Sequence, residues 1–163
     1  MVRTGDMPYI EREAYKNALA SQPDIVIIQL GTNDSKPQNW NKEQYIADYV
    51  EMAKTFMKLD SNPQVYFMIP PPLYIEGICH LQQSVINDTL PELIPKIAKK
   101  LGLSKHHIIN NFEALGGHDL SCPELMYDGI HPNDDGYAVI AQNVFKTITA
   151  PRPQKKPAFH ARL

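Results

Sequence analysis

Two hydrophobic patterns alternate along the chain. Apolar residues recurring every three to four positions predict helices, and short unbroken β-rich runs predict strands buried on both faces, as in a parallel sheet. Ala14, Tyr15, Ala18 and Leu19 share one face of a helix predicted over residues 11–21, which Pro23 ends. Residues 24–30 follow as a continuous strand-like run, Ile25-Val26-Ile27-Ile28-Gln29-Leu30 after Asp24, and residues 31–40 form a polar loop. A second helix is predicted over 42–59, with Asn41 as N-cap and Tyr45, Ile46, Tyr49, Val50, Ala53, Phe56 and Met57 at helical spacing. Residues 64–69 give a second buried strand, stopped by Pro70-Pro71-Pro72, because proline cannot donate to a ladder.

A third helix over 83–101 contains Pro91 and Pro95, which predict a kinked or two-piece helix, and Gly102 suits the position after its end. Residues 107–110 read as a short third strand and 111–127 as irregular chain. The last helix is predicted over 134–148, capped by Asn133, with Tyr137, Ile140, Ala141, Val144, Phe145 and Ile148 on its buried face. Strands alternating with helices imply right-handed crossovers, hence an α/β fold with a parallel sheet and helices on both faces. One domain over residues 1–150 is expected, followed by a basic, proline-rich tail over 151–163 that does not pack.

Composition narrows the function classes. The chain has 163 residues, 43% hydrophobic, enough for one core. A formal net charge of −2, with no stripe of Lys and Arg, makes no case for nucleic acid or an anionic membrane surface. No apolar run reaches spanning length, and the first six residues hold no signal-like apolar core. Two cysteines, Cys79 and Cys122, supply neither a disulfide framework nor a zinc spacing, and the compartment stays open. Cys79 and His80, as sequence neighbours, point apart and make a poor dyad.

Two short segments carry chemistry. Gly31-Thr32-Asn33-Asp34 stands at the carboxyl end of the first strand, where open α/β sheets bind ligands. Asn33 offers an uncharged N–H donor suited to a developing oxyanion, or serves as an ordinary turn residue. Asp128-Gly129-Ile130-His131-Pro132 enters the last helix. Asp128 can hold the imidazole Nδ1–H of His131 and leave the other nitrogen as a base, or it merely caps a turn. Asp134 and Asp135 fall in the helix's first turn, where acids complement the dipole, so no metal site is expected. Trp40 and Tyr74 are pocket-wall candidates, with Trp40 otherwise anchoring its loop through burial.

Together these segments resemble the SGNH (GDSL-type) hydrolases: Gly31-Thr32-Asn33-Asp34 looks like their third sequence block, and Asp128-Gly129-Ile130-His131-Pro132-Asn133 their fifth. Residues 35–40, the Pro70-Pro71-Pro72-Leu73-Tyr74 loop and the start of the last helix are similar to a bacterial-type branch linked to carbohydrate esters. The resemblance implies a three-layer, flavodoxin-like fold and a cofactor-free serine esterase acting on O-acyl, chiefly acetyl, esters of carbohydrate or similar small esters. It assigns Asn33 to the oxyanion hole, His131 to the base, Asp128 to its partner and Gly31 to the turn of the third block. It also implies that the first two strands, the Gly-Asp-Ser nucleophile and the glycine of the second block are absent: Gly5-Asp6-Met7 looks only superficially like Gly-Asp-Ser, lies too close to Asn33, and with Pro8-Tyr9 instead resembles the linker just after the second block. The expectations are therefore a partial esterase inactive by itself, or a non-catalytic sugar- or ester-binding descendant. In either case, self-association is expected through the sheet edge that the missing strand would cover.

Overall fold

A computed structural model describes residues 1–151. Apart from Pro151, the expected tail lies outside the described residues. Helix α1 spans Glu13–Ala20, strand β1 Ile25–Ile28, helix α2 Lys42–Met57 and strand β2 Gln64–Ile69. A π-helical turn over Ser84–Thr89 leads into α3, Leu90–Lys100. Strand β3 is Ile108–Asn110, followed by the short α4, Asn111–Ala114, and by α5, Asp134–Thr149.

The expected punctuation is present. Asn41 Oδ1 accepts from the Gln44 N–H at 2.9 Å and Asn133 Oδ1 from the Gly136 N–H at 3.0 Å, so both carboxamides cap their helices. At the end of α3, Leu103 N–H bonds the Ala98 carbonyl and Gly102 N–H the Lys99 carbonyl, closing a Schellman turn around Gly102 at φ +75°. The third helix is continuous rather than in two pieces: it is π-helical up to Thr89 and α-helical from Leu90, with helical dihedrals at the join, Pro91 just after it and Pro95 further inside.

The sheet runs in the order β1-β2-β3, with both pairs parallel. Val26 and Ile28 lie beside Val65 and Phe67 in register, and these face the main core with Ile69. That core takes Tyr15 from α1, Tyr45, Tyr49, Met52 and Phe56 from α2, and Leu90, Leu93, Ile94 and Ile97 from α3. On the opposite face Tyr66, Met68 and Ile109 pack against Val144 and Ile148 of α5. Helices therefore cover both faces, as expected of the α/β class.

Two burial expectations are corrected. Strand β1 is buried on one face only, with Ile25 43% and Ile27 37% exposed, because α5 packs over β2 and β3 and does not reach β1. For the same reason α5 buries less than its apolar pattern predicts. Val144 and Ile148 meet the sheet, whereas Tyr137 and Phe145 stand 55% and 66% exposed. An open groove of about 430 Å³ follows β1 and is lined by Ile25, Ile27, Pro23, Ala18, Tyr9 and Phe56, among others.

Candidate active site

The carboxyl end of β1 is built into the core. Gly31 has φ +143°, and a Cβ there would lie 2.9 Å from both Leu90 Cδ1 and Tyr45 Oη, so the turn has no room for a side chain. The Tyr45 hydroxyl donates to the Leu30 carbonyl at 2.7 Å and the Tyr49 hydroxyl to the Ile28 carbonyl at 3.0 Å. The last carbonyl of β1 and that of Leu30, two residues beyond it, are thus satisfied from α2. Burial, then the neighbouring Tyr49 and Asp34, push the Tyr45 phenol well above its ordinary range and keep it a donor.

Residues Asn33–Ser35 then form a single 3-10 turn. Asp34 and Ser35 point inward: Asp34 Oδ1 accepts from the Val2 N–H at 2.6 Å, and the Ser35 carbonyl accepts from Gln82 Nε2 at 2.6 Å. Asn39 Nδ2 donates to the Asn33 carbonyl at 3.3 Å and to Asp6 Oδ1 at 2.9 Å. Only Asn33 of this turn is left exposed.

The second segment organises itself. Asp128 Oδ1 accepts from the N–H groups of Ile130 and His131 at 2.9 and 2.8 Å, and Oδ2 lies 2.8 Å from His131 Nδ1. The backbone N–H of His131, then its ring, then the Ile130 N–H hold the Asp128 carboxyl well below the usual carboxylate range. An ionised carboxylate against Nδ1 selects the Nδ1-protonated tautomer and leaves Nε2 as the acceptor. Tyr127 N–H closes the loop onto the His131 carbonyl at 2.7 Å, and Asn133 Nδ2 fastens the helix entry to the Glu124 carbonyl at 2.6 Å.

The fold brings the two segments together. Asn33 and His131 line one cavity of about 380 Å³, with Gln29, Thr32, Pro71, Pro72, Leu73, Cys79 and Tyr137 among its other walls. Asp128 stands behind the imidazole. The arrangement offers an amide donor and an oriented base to one bound group, which is the equipment of acyl transfer. No serine is among the residues lining the cavity. Ser35 is buried, its hydroxyl 3.3 Å from the Gln82 N–H.

Three other sequence-predicted residues stand back from the lining. Gly31 permits the turn beneath Asn33. Trp40 packs on Tyr45 with ring centroids 5.5 Å apart. Tyr74 ties loops together: its hydroxyl donates to the Leu115 carbonyl at 2.8 Å and accepts from the Cys122 N–H at 3.0 Å. Pro71 and Pro72 were not read as cavity residues, although their place after β2, at the same sheet end as Asn33, was a signal for it. Cys79 gave none, because the path of its loop depends on contacts with no local signal. Among the described residues no three His, Cys, Asp or Glu side chains gather as a metal site would require, and no helix is long and apolar enough to cross a membrane.

Comparison with known proteins bears on the fold and the family. The fold is similar to that of an acetylxylan esterase from Geobacillus stearothermophilus (TM-score 0.65, 17% identity, 87% of this chain and 67% of that one). It is also similar to a GDSL-like lipase from Bacteroides thetaiotaomicron (TM-score 0.61, 19% identity, 82% and 70%). In sequence, an acetylxylan esterase from Xylanibacter ruminicola is 32% identical over 91% of this chain and 33% of its own length. An N-acylneuraminate cytidylyltransferase from Escherichia coli is 23% identical over 86% of this chain and 32% of its own. The chain thus spans about a third of the length of the curated relatives it matches. Residues 3–139 match the model of the GDSL-like lipase/acylhydrolase family, and with the Asn33 turn and the Asp128–His131 pair at one cavity, the chain belongs to that family.

Proposed function

We propose that this chain supplies the base and one oxyanion donor of a serine ester hydrolase acting on O-acetyl esters of carbohydrate, with the nucleophilic serine on a segment outside the 163 residues. The observation that carries the reading is the convergence of Asn33 and His131 on one cavity, with Asp128 fixing the imidazole from behind. Support for an acetylated sugar comes from the acetylxylan esterase relative.

In this reading His131 Nε2 takes the proton of the serine hydroxyl as its oxygen attacks the acetyl carbonyl. The carbonyl electrons move onto oxygen, and the Asn33 side-chain N–H meets the charge that develops there. Nε2 then returns the proton to the departing sugar oxygen, leaving an acetyl-enzyme, and water repeats the sequence to release acetate. No cofactor is needed for any step. Pro71, Pro72 and Leu73 wall the cavity, while Gly31, Trp40 and Tyr74 act behind the substrate by fixing the segments that touch it.

The lack of a serine in the cavity lining favours a second reading, a non-catalytic protein that binds a sugar or ester there. Fluorophosphonate labelling separates the two. The chain alone is expected to take no label, and the chain joined to an upstream strand–Gly-Asp-Ser segment to label stoichiometrically on that serine. Labelling of the 163-residue chain itself overturns the assignment of the nucleophile; an unlabelled joined protein that still binds acetylated sugars supports the binding reading. The reading also places self-association at the free edge of β1, where Ile25 and Ile27 are open. Sedimentation of the chain is expected to show a concentration-dependent dimer, and a monomer at every concentration contradicts it.

A further inference from the structure

The loop of Asp128 and His131 meets the rest of the molecule at two neighbouring residues: Ile130 packs against the main core, and the Gly129 carbonyl takes a hydrogen bond from another loop. The second connection begins at Asn87, on the π-helical turn Ser84–Thr89, where the side chain is buried. Asn87 Oδ1 accepts from the Leu73 N–H at 2.8 Å, and Nδ2 donates to the Leu73 carbonyl at 3.0 Å. One carboxamide thereby closes on both backbone groups of a single residue, and Gln83 Nε2 donates to the same carbonyl at 2.8 Å.

Leu73 is a telling place for such a clamp. The three residues before it are prolines, which have no N–H with which to fix their own course. The Leu73 N–H is the first available donor, and Asn87 takes it. The next donor, the Tyr74 N–H, bonds the Gly129 carbonyl at 2.9 Å, between Asp128 and His131. Ile75 closes on the same residue: Gly129 has φ +86°, and a Cβ there would lie 2.8 Å from Ile75 Cδ1. The path from the buried carboxamide to the histidine loop is continuous and runs through backbone.

We propose that Asn87 is a positioning residue for the Asp128–His131 pair, setting the place of Gly129 through Leu73 and Tyr74. The proposal rests on the reading of His131 as the base, but it can be tested without an ester. Nitrogen-15 NMR of the 163-residue chain reads the His131 ring tautomer and the exchange of the Tyr74 amide. The native chain is expected to show the Nδ1-protonated form and a protected amide. Asn87→Ala is expected to give averaged ring signals and exchange at Tyr74 faster by about tenfold or more. Ile94→Ala, which opens the same core without touching the path, is expected to lower overall stability and leave the ring signals in place. Should Asn87→Ala fail to fold, Asn87→Leu keeps the volume of the buried side chain, loses both hydrogen bonds to Leu73 and is expected to shift both signals in the same direction. Native ring signals and native Tyr74 exchange in the Asn87 variant overturn the proposal, as does an equal change in Ile94→Ala. An Asn87-dependent signature, with no acetate released by the chain joined to the serine-bearing segment, counts against the hydrolase reading alone.

Discussion

The two halves of the site are held by different physics. The Asn33 half is an outgrowth of the core: Gly31 fits between Leu90 and Tyr45, Asp34 and Ser35 turn inward to hydrogen bonds, and the preceding carbonyls are satisfied by buried tyrosines. The His131 half is a solvent-facing loop folded on its own carboxylate, with side-chain exposures of 65% at His131 and 36% at Asp128. A donor for developing charge works by being rigid before the reaction starts, and burial provides that rigidity. A base must reach water and substrate, so its order comes from local hydrogen bonds and from a tether at Gly129. Disturbing the first half should therefore cost stability. Disturbing the second should cost geometry and leave the fold intact.

Gly31→Ala breaks the comparison hardest. The added methyl meets Leu90 and Tyr45 at 2.9 Å in a backbone conformation that L-residues rarely adopt, and a loss of about 3 kcal/mol is expected in denaturant unfolding. Tyr45→Phe comes next. It leaves the Leu30 carbonyl without its partner inside the core, at a cost of about 1–2 kcal/mol. Asp128→Asn is expected to move the unfolding midpoint little, because the amide oxygen still accepts from the Ile130 and His131 N–H groups, yet to abolish the single His131 tautomer expected in nitrogen-15 NMR. A stability loss at Asp128 as large as at Gly31 would erase the distinction.

Acid titration gives the smallest effect. The Asp128 carboxyl is depressed in the folded state, so whatever it contributes is present above the ordinary carboxylate range and is lost only as pH falls through its lower folded value. The Nδ1 contact should therefore survive at pH values where unpaired carboxylates have already protonated. Loss of the contact near pH 4 to 5 would show that Asp128 is an ordinary surface acid.

Much of this was legible before the fold was known. The caps at Asn41 and Asn133 and the stop at Gly102 are local events, decided by hydrogen bonds within a few residues. The third- and fifth-block segments were legible for the same reason: a strand-end glycine with an amide, and an Asp–His spacing that closes on itself. What local pattern could not supply was coverage. The apolar run at β1 and the apolar stripe on α5 both promised burial, but burial depends on a neighbour, and α5 lies over β2 and β3. Tyr74 was legible as a loop aromatic next to the site, though not the two backbone bonds that turn its hydroxyl away from the cavity. Asn87 left a faint trace, a carboxamide close to Val85, Ile86 and Leu90 in a buried helical segment. Its partner Leu73 lies 14 residues upstream, and nothing local joins them.

The central claim is that His131, set by Asp128, is the base of an ester hydrolase whose oxyanion donor is Asn33. Acetate release from acetylated xylo-oligosaccharides tests it most directly, using the chain joined to an upstream segment that carries the serine. The account predicts steady release that falls by about a thousandfold or more in His131→Ala with the fold retained. Equal release by the His131→Ala protein would contradict it.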